Sequence, residues 1–299
     1  MAERIQKILA NAGFGSRREL ERMIEAGRVK INGKLAKLGD KIEEADKVTL
    51  DNRKVNTQMV GESKRRVIIY HKKEGEVCTR SDPENRPTIF ENLPILKGER
   101  WIAIGRLDIN TSGLLLLTTD GEFANKLMHP SFQVPREYAV RVRGEVTKEQ
   151  IAALTEGVLL DDGMARFNDI VHSGGENQNQ WYHVVLLEGR NREVRRLWES
   201  QGLTVSRLKR VRYGTIVLTQ RVRQGKTVEL NEKEITSLEE MLNENGNVDL
   251  GAKVITDEKS VKKTIEKKPL TKTKSIEIKT KPRTIKKTTK IKPKDKSSK

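Results

Sequence analysis

The 299-residue chain carries 59 Lys/Arg against 42 Asp/Glu, but residues 251–299 alone hold 18 basic and 5 acidic positions, which leaves the first 250 nearly balanced at 41 against 37. A basic segment of that kind is expected to be disordered and to bind polyanions through charge alone. The single cysteine, Cys78, excludes an intramolecular disulfide, and four scattered histidines offer no zinc-ligand set. With no N-terminal apolar leader and no apolar run of 18 residues, neither secretion nor membrane insertion is expected, and the reading is cytoplasmic.

Ile5, Ile8, Leu9 and Ala12 share one helical face, and Gly13-Phe14-Gly15 stops that helix. Ser16-Arg17-Arg18-Glu19 fits a capping box opening a second helix with Leu20, Met23 and Ile24 on its stripe. Val29-Lys30-Ile31 alternates as a strand, Asn32-Gly33 is a turn pair, and Val48-Thr49-Leu50 offers a partner strand. Arg17 and Arg18 occupy a first turn where the helix dipole disfavours cations, which points to an anionic ligand. Arg28, Lys30 and Lys34 extend the same basic set. The stretch GFGSRRELERMIEAGRVKINGK resembles the S4 RNA-binding module, whose contacts are expected to go to RNA backbone and shape.

Asn52–Arg65 is polar and reads as a linker, after which Val67–Tyr70 and Trp101–Ile104 read as strands. The second leads into Gly105-Arg106-Leu107-Asp108-Ile109-Asn110-Thr111-Ser112-Gly113, followed by four leucines, Leu114–Leu117. Such a run, bounded by turn residues, predicts a short strand buried on both faces. A carboxylate just ahead of it is paired or functional, because burying it alone is costly. Asp120 is expected to start a helix that Pro130 ends, and REYAVRVRG alternates as a half-buried strand. The pattern predicts a helix over 147–160, a hairpin around Gly174-Gly175, and a short helix carrying Val194, Leu197 and Trp198. Strands VSRLKRVRYG and VEL and a last helix with Leu238, Met241 and Leu242 close the body. Short loops between successive strands predict an α+β fold with a mixed, mainly antiparallel sheet. The expected organisation is 1–60, 65–245 and a basic tail, 246–299.

No phosphate-binding glycine loop, Ser-His-Asp set or metal cluster can be read. One carboxylate, several arginines and a few aromatics remain. GRLDINTSGLLLLTTDGEFANKLMHP, REYAVRVRG and GRNREVRRLWESQGLTVSRLKRVRYG resemble the core motifs of the RsuA/RluB-type pseudouridine synthases, in that family's order and spacing. With the S4-like start, the resemblance covers roughly residues 3–240. It implies isomerisation of a uridine in ribosomal RNA, free or in a pre-ribosomal particle, by a monomer without cofactor or metal. It makes Asp108 the nucleophile or base, with Arg195 as its partner cation. Tyr138 is implied to stack on the uracil, Arg106 to help extrude it and Leu197 to wall the pocket. Arg190 and Arg192 are expected to contact RNA. The wording of GRNREVRRLWESQG and LMHP favours large-subunit (23S) over small-subunit (16S) RNA. The reading from another class is a non-catalytic rRNA-binding or ribosome-assembly protein.

Overall fold

The computed structural model describes residues 2–43, 45–55, 64–96, 98–176 and 178–246. The expected tail therefore lies outside the described residues, apart from Gly246.

The N-terminal module contains β1 (Glu3–Arg4), α1 (Ile5–Asn11), α2 (Arg17–Glu25), β2 (Val29–Ile31), β3 (Lys34–Leu35), β4 (Lys41–Ile42), β5 (Val48–Leu50) and β6 (Arg53–Val55). The capping box at α2 is formed: Ser16 Oγ accepts from the Glu19 amide at 3.2 Å, and the Glu19 carboxylate accepts from the Ser16 amide at 3.3 Å. Asn32 and Gly33 both take positive φ, the geometry that joins β2 tightly to β3. β5 then pairs with β2 and with β6. The last strand, Arg53–Val55, falls inside the stretch expected to be a linker. Val55 is buried there because it completes a core with Ile5, Leu9, Leu20, Ile24, Val29 and Val48.

The larger part runs through β7 (Val67–Lys72), β8 (Ile102–Ile104), β9 (Ser112–Thr118), α3 (Gly121–Met128), β10 (Arg136–Arg143), α4 (Lys148–Glu156), β11 (Val158–Leu160) and β12 (Gly163–Ala165). It continues with β13 (Asp169–Glu176), β14 (Asn179–Leu186), α5 (Glu193–Glu199), β15 (Thr204–Tyr213), β16 (Ile216–Val217), β17 (Thr227–Glu229) and α6 (Glu232–Gly246). Among the described residues a nine-stranded sheet follows the order β13-β14-β10-β15-β9-β7-β17, with β16 on β15 and β8 on β9. Every pairing in it is antiparallel except β9 with β15. The expected α+β class with a mixed, mainly antiparallel sheet is the observed one.

The leucine run explains the centre of this sheet. Leu115 and Leu117 join Ile68 and Tyr70 in one core, while Leu114 and Leu116 join Val67 and Ile69 in another on the opposite face. Each fully buried leucine contributes about 2 kcal/mol, so β9 is anchored from both sides. Asp120 caps α3 by accepting from the amides of Glu122 and Phe123. Lys7 pairs with Glu3 inside the N-terminal module and with Glu122 at the start of α3.

Two local expectations are corrected. The helix expected over 147–160 ends at Glu156, because Gly157 takes φ +129°, and residues 158–160 pair as a strand with 163–165. Gly174 and Gly175 do not form the hairpin loop. They lie within β13 beside a register shift, and the chain turns only after Glu176. A Cβ on Gly175 would stand 2.3 Å from the Asn179 carbonyl oxygen, so the glycine permits close strand approach.

Candidate active site

The loop between β8 and β9 carries Asp108 into a cleft of about 760 Å³. Gly105 turns the chain with φ +79°, and the Thr111 amide donates to the Asp108 carbonyl at 3.0 Å, which tightens the loop. Alternation across the turn sends Leu107 into the first core and leaves Arg106 exposed at the rim of the cleft.

Two buried cations hold the loop from beneath. Lys72, at the end of β7, is 0% exposed. Its ammonium donates to the carbonyls of Lys73 (2.9 Å), Asp108 (3.0 Å) and Thr111 (2.9 Å). Burial pushes the Lys72 pKa below its ordinary value, while Cys78, Glu76 and Asp108 act in the opposite direction. Arg195, on α5, donates to the Asn110 carbonyl at 2.9 Å and to the Val205 carbonyl at 2.9 Å. Burial and the neighbouring Arg192 lower the Arg195 pKa, whereas Asp108 raises it. Cys78 closes the ring, its Sγ lying 3.4 Å from the Leu107 carbonyl oxygen and 3.5 Å from the Leu107 amide nitrogen.

Asp108 is half-buried and lines the cleft, and among the described residues its carboxylate accepts no hydrogen bond. The loop backbone is thus fixed while the acid is left open to a ligand. The expected pairing with Arg195 takes an indirect form: the guanidinium grips the loop two residues on, at Asn110, and acts on Asp108 through its charge.

Tyr138 lies on β10 opposite Arg210 of β15, buried by its neighbours but lining the same cleft. Leu197 is 0% exposed and belongs to the core rather than to the cleft wall. Val194, three residues earlier on α5, lines the cleft instead. Arg190 lines the cleft and is also engaged within the chain. It pairs with Glu188 at 2.9 Å and donates to the Met164 carbonyl at 2.8 Å, while Arg196 grips Asp162 with two bonds of 2.8 Å. These arginines clamp the β11–β12 turn to the start of α5 and hold the Asp162 carboxyl at about 2. Arg192 takes a left-handed conformation, φ +49°, and reaches the cleft rim 3.7 Å from Glu199.

The sequence pattern did not single out Lys72, Cys78, Arg136, Glu193 or Arg210, all of which line the cleft or support its loop. Glu193 is 3% exposed and its pKa is raised by burial; its side chain accepts from the Arg190 amide at 2.9 Å. Arg136 and Arg210 are buried beside the Tyr213 ring, 5.3 and 5.0 Å from its centre. A buried basic residue in a sequence looks like a surface one, and only the pairing of distant strands reveals where it sits.

In the N-terminal module Arg17 and Arg18 are exposed, and neither forms an ion pair with a described residue. Arg28 is engaged by Asp51 at 2.7 and 2.6 Å, and Lys30 by Asn52 at 3.0 Å. Lys34 is exposed. Among the described residues no group of three or more His, Cys, Asp or Glu is placed to hold a metal ion, and no helix is long and apolar enough to cross a membrane. The four histidines are hydrogen bonded to Val222, Ser131, Gln180 and Glu137.

Comparison with known proteins agrees with this geometry. Residues 66–200 match the RNA pseudouridylate synthase family and residues 3–48 the S4 domain. The chain is 58% identical over 80% of its length to the ribosomal large subunit pseudouridine synthase B of Pseudomonas aeruginosa, of which it spans 62%. It is 56% identical to the protein of that name from Escherichia coli K12, covering 81% of this chain and 84% of the relative. A crystal structure of a pseudouridylate synthase superposes with TM-score 0.55 at 26% identity, covering 79% of this chain and 99% of that one. An S4 domain, a mixed sheet and a cleft lined by Asp108 therefore come together in a chain that belongs to the RNA pseudouridine synthase family.

Proposed function

We propose that the chain converts a uridine of large-subunit (23S) ribosomal RNA to pseudouridine, with Asp108 as the reacting group. The observation that carries this reading is the Asp108 carboxylate, open to the cleft on a backbone held by Lys72 and Arg195. The names of the relatives in Pseudomonas aeruginosa and Escherichia coli support the choice of RNA.

The target nucleotide must leave its stack to reach Asp108, at a cost of a few kcal/mol. Arg106 at the rim is placed to offset that cost by engaging the RNA, and the Tyr138 ring offers a face for the extruded uracil. Asp108 then acts on the ribose, either by attacking C1′ or by removing a ribose proton. In both routes the C1′–N1 bond breaks, the uracil turns, and C1′ bonds to C5, with the Asp108–C1′ bond breaking in the first route and the ribose proton returning in the second. The C5 proton leaves and N1 gains one. Nothing is added and no electron is transferred overall, so one carboxylate suffices and no cofactor is invoked. Val194 takes the wall position expected for Leu197. The partner is rRNA, free or within a pre-ribosomal particle, and the protein acts as a cytoplasmic monomer.

Incubation with large-subunit rRNA tritiated at uridine C5 tests the reading. Wild type should release tritium and Asp108→Asn should release none above background. Release by Asp108→Asn at the wild-type rate would overturn the assignment.

A further inference from the structure

The two faces of the nine-stranded sheet are not equally covered. Behind β7 and β9 lies the second core, built with α3 and α6, and it contains no side chain from β10 or β14. Tyr138, Val140 and Val142 of β10, with Tyr182 and Val184 of β14, face the first core. By alternation, Ala139, Arg141, Arg143, Trp181 and His183 point the other way, each only partly buried or exposed. Strand register then aligns Arg141 with Trp181 on one side and Arg207 on the other, and Ala139 with His183 and Lys209.

This places Arg141, Arg143, Arg207 and Lys209 on one open three-stranded surface. Arginines directly opposite each other, as Arg141 and Arg207 are, oppose sheet pairing unless an anion lies between them. Among the described residues none of the four forms an ion pair. On these three strands the carboxylate sharing the face, Glu137, is already held by Arg212 at 2.7 Å and His183 at 2.7 Å, while the edge strand β13 adds Asp169 and Glu176 at the border of the surface. Arg141 donates to Ser206 Oγ at 2.9 Å and lies 5.9 Å from the centre of the Trp181 ring, so its guanidinium is oriented without being neutralised.

We propose that the open face of β14, β10 and β15 is a second RNA-binding surface, which takes the phosphodiester backbone of an RNA element remote from the target uridine. The proposal rests on the rRNA substrate proposed above and extends it: the RNA is recognised on both faces of the sheet. Phosphate-directed cations position RNA without reading its bases. Engagement of both faces requires RNA long enough to pass around the sheet, so a short stem-loop carrying the target would not depend on this surface.

Binding of the full chain to a large-subunit rRNA transcript, titrated from 50 to about 300 mM KCl, tests the proposal. Each phosphate contact contributes roughly one to the slope of log affinity against log salt. The Arg141→Ala/Arg207→Ala pair should flatten that slope by about two, with tritium release at saturating RNA unchanged. The charge-keeping Arg141→Lys/Arg207→Lys pair should retain the wild-type slope, as a purely packing role for the arginines would not. An unchanged slope in the alanine pair would overturn the proposal and leave the face to an acidic protein or to solvent. Equal flattening in the lysine pair would overturn it too. Tritium release by wild type is read in the same assay, so failure of the catalytic reading is seen separately.

Discussion

Arg17 and Arg18 and the pair Lys72 and Arg195 are cations with opposite assignments. The first two stand exposed at the start of α2 with no ion pair among the described residues. The second two are buried and bonded to carbonyls of the Asp108 loop, Lys72 to those of Asp108 and Thr111 and Arg195 to that of Asn110. The charge is the same in each case, but the surroundings decide the task. An exposed cation without a partner is available to a polyanion, whereas a buried one bonded to carbonyls fixes backbone geometry. Arg190 stands between the two: it lines the cleft, and its side chain also grips the β11–β12 turn.

The comparison breaks first at Lys72. Lys72→Met leaves the carbonyls of Lys73, Asp108 and Thr111 unpaired, which should cost about 3 kcal/mol of stability. It should also lower kcat roughly 100-fold through displacement of the loop, with KM within about threefold. An unchanged kcat would show that the loop keeps its place without the ammonium. Arg17→Ala with Arg18→Ala is expected to do the reverse, raising KM for rRNA roughly tenfold at low salt with kcat preserved. A fall in kcat at saturating RNA would erase the distinction between the two groups.

The smallest effect concerns His71, buried and bonded to the Val222 carbonyl at 2.7 Å. Burial lowers its pKa from the usual 6.5. The unfolded chain therefore takes up a proton before the folded one, and the stability present above pH 6.5 is lost as pH falls towards the folded value. His71→Gln should reduce the drop in Tm between pH 7.5 and pH 5 by about 2 °C. An identical drop would remove His71 from the acid response.

Local signals were legible. The Ser16 and Asp120 helix starts were read from residues a few positions apart, because a capping side chain bonds its own first turn. Leu114–Leu117 was recognisable as a strand buried twice over because no polar residue interrupts it. Asp108 stood out because its motif is contiguous. The supports under it did not: Lys72 sits in a run of charged residues that looks solvated, and its partners lie 36 to 39 positions away. Arg190 and Arg196 likewise reach across about 30 positions to grip the turn at Asp162, a pairing that no local pattern announces. Gly174 and Gly175 looked like a loop because glycine signals both a turn and a close strand approach, and only pairing distinguishes them.

The short parallel contact between β9 and β15, Ser112 with Lys209 and Gly113 with Arg210, joins residues 97 positions apart. A Cβ on Gly113 would lie 2.2 Å from the Arg210 carbonyl oxygen, so the join tolerates no side chain. It also sets an order of events during synthesis. Asp108 emerges early, but the strand that closes its cleft is among the last translated, and β17 must still return to the far edge beside β7. A nascent chain therefore carries its aspartate for about a third of its length before that aspartate faces a complete cleft. Contacts of such long separation form slowly, and Asp108 has no complete cleft to act from until β15 has folded back beside β9.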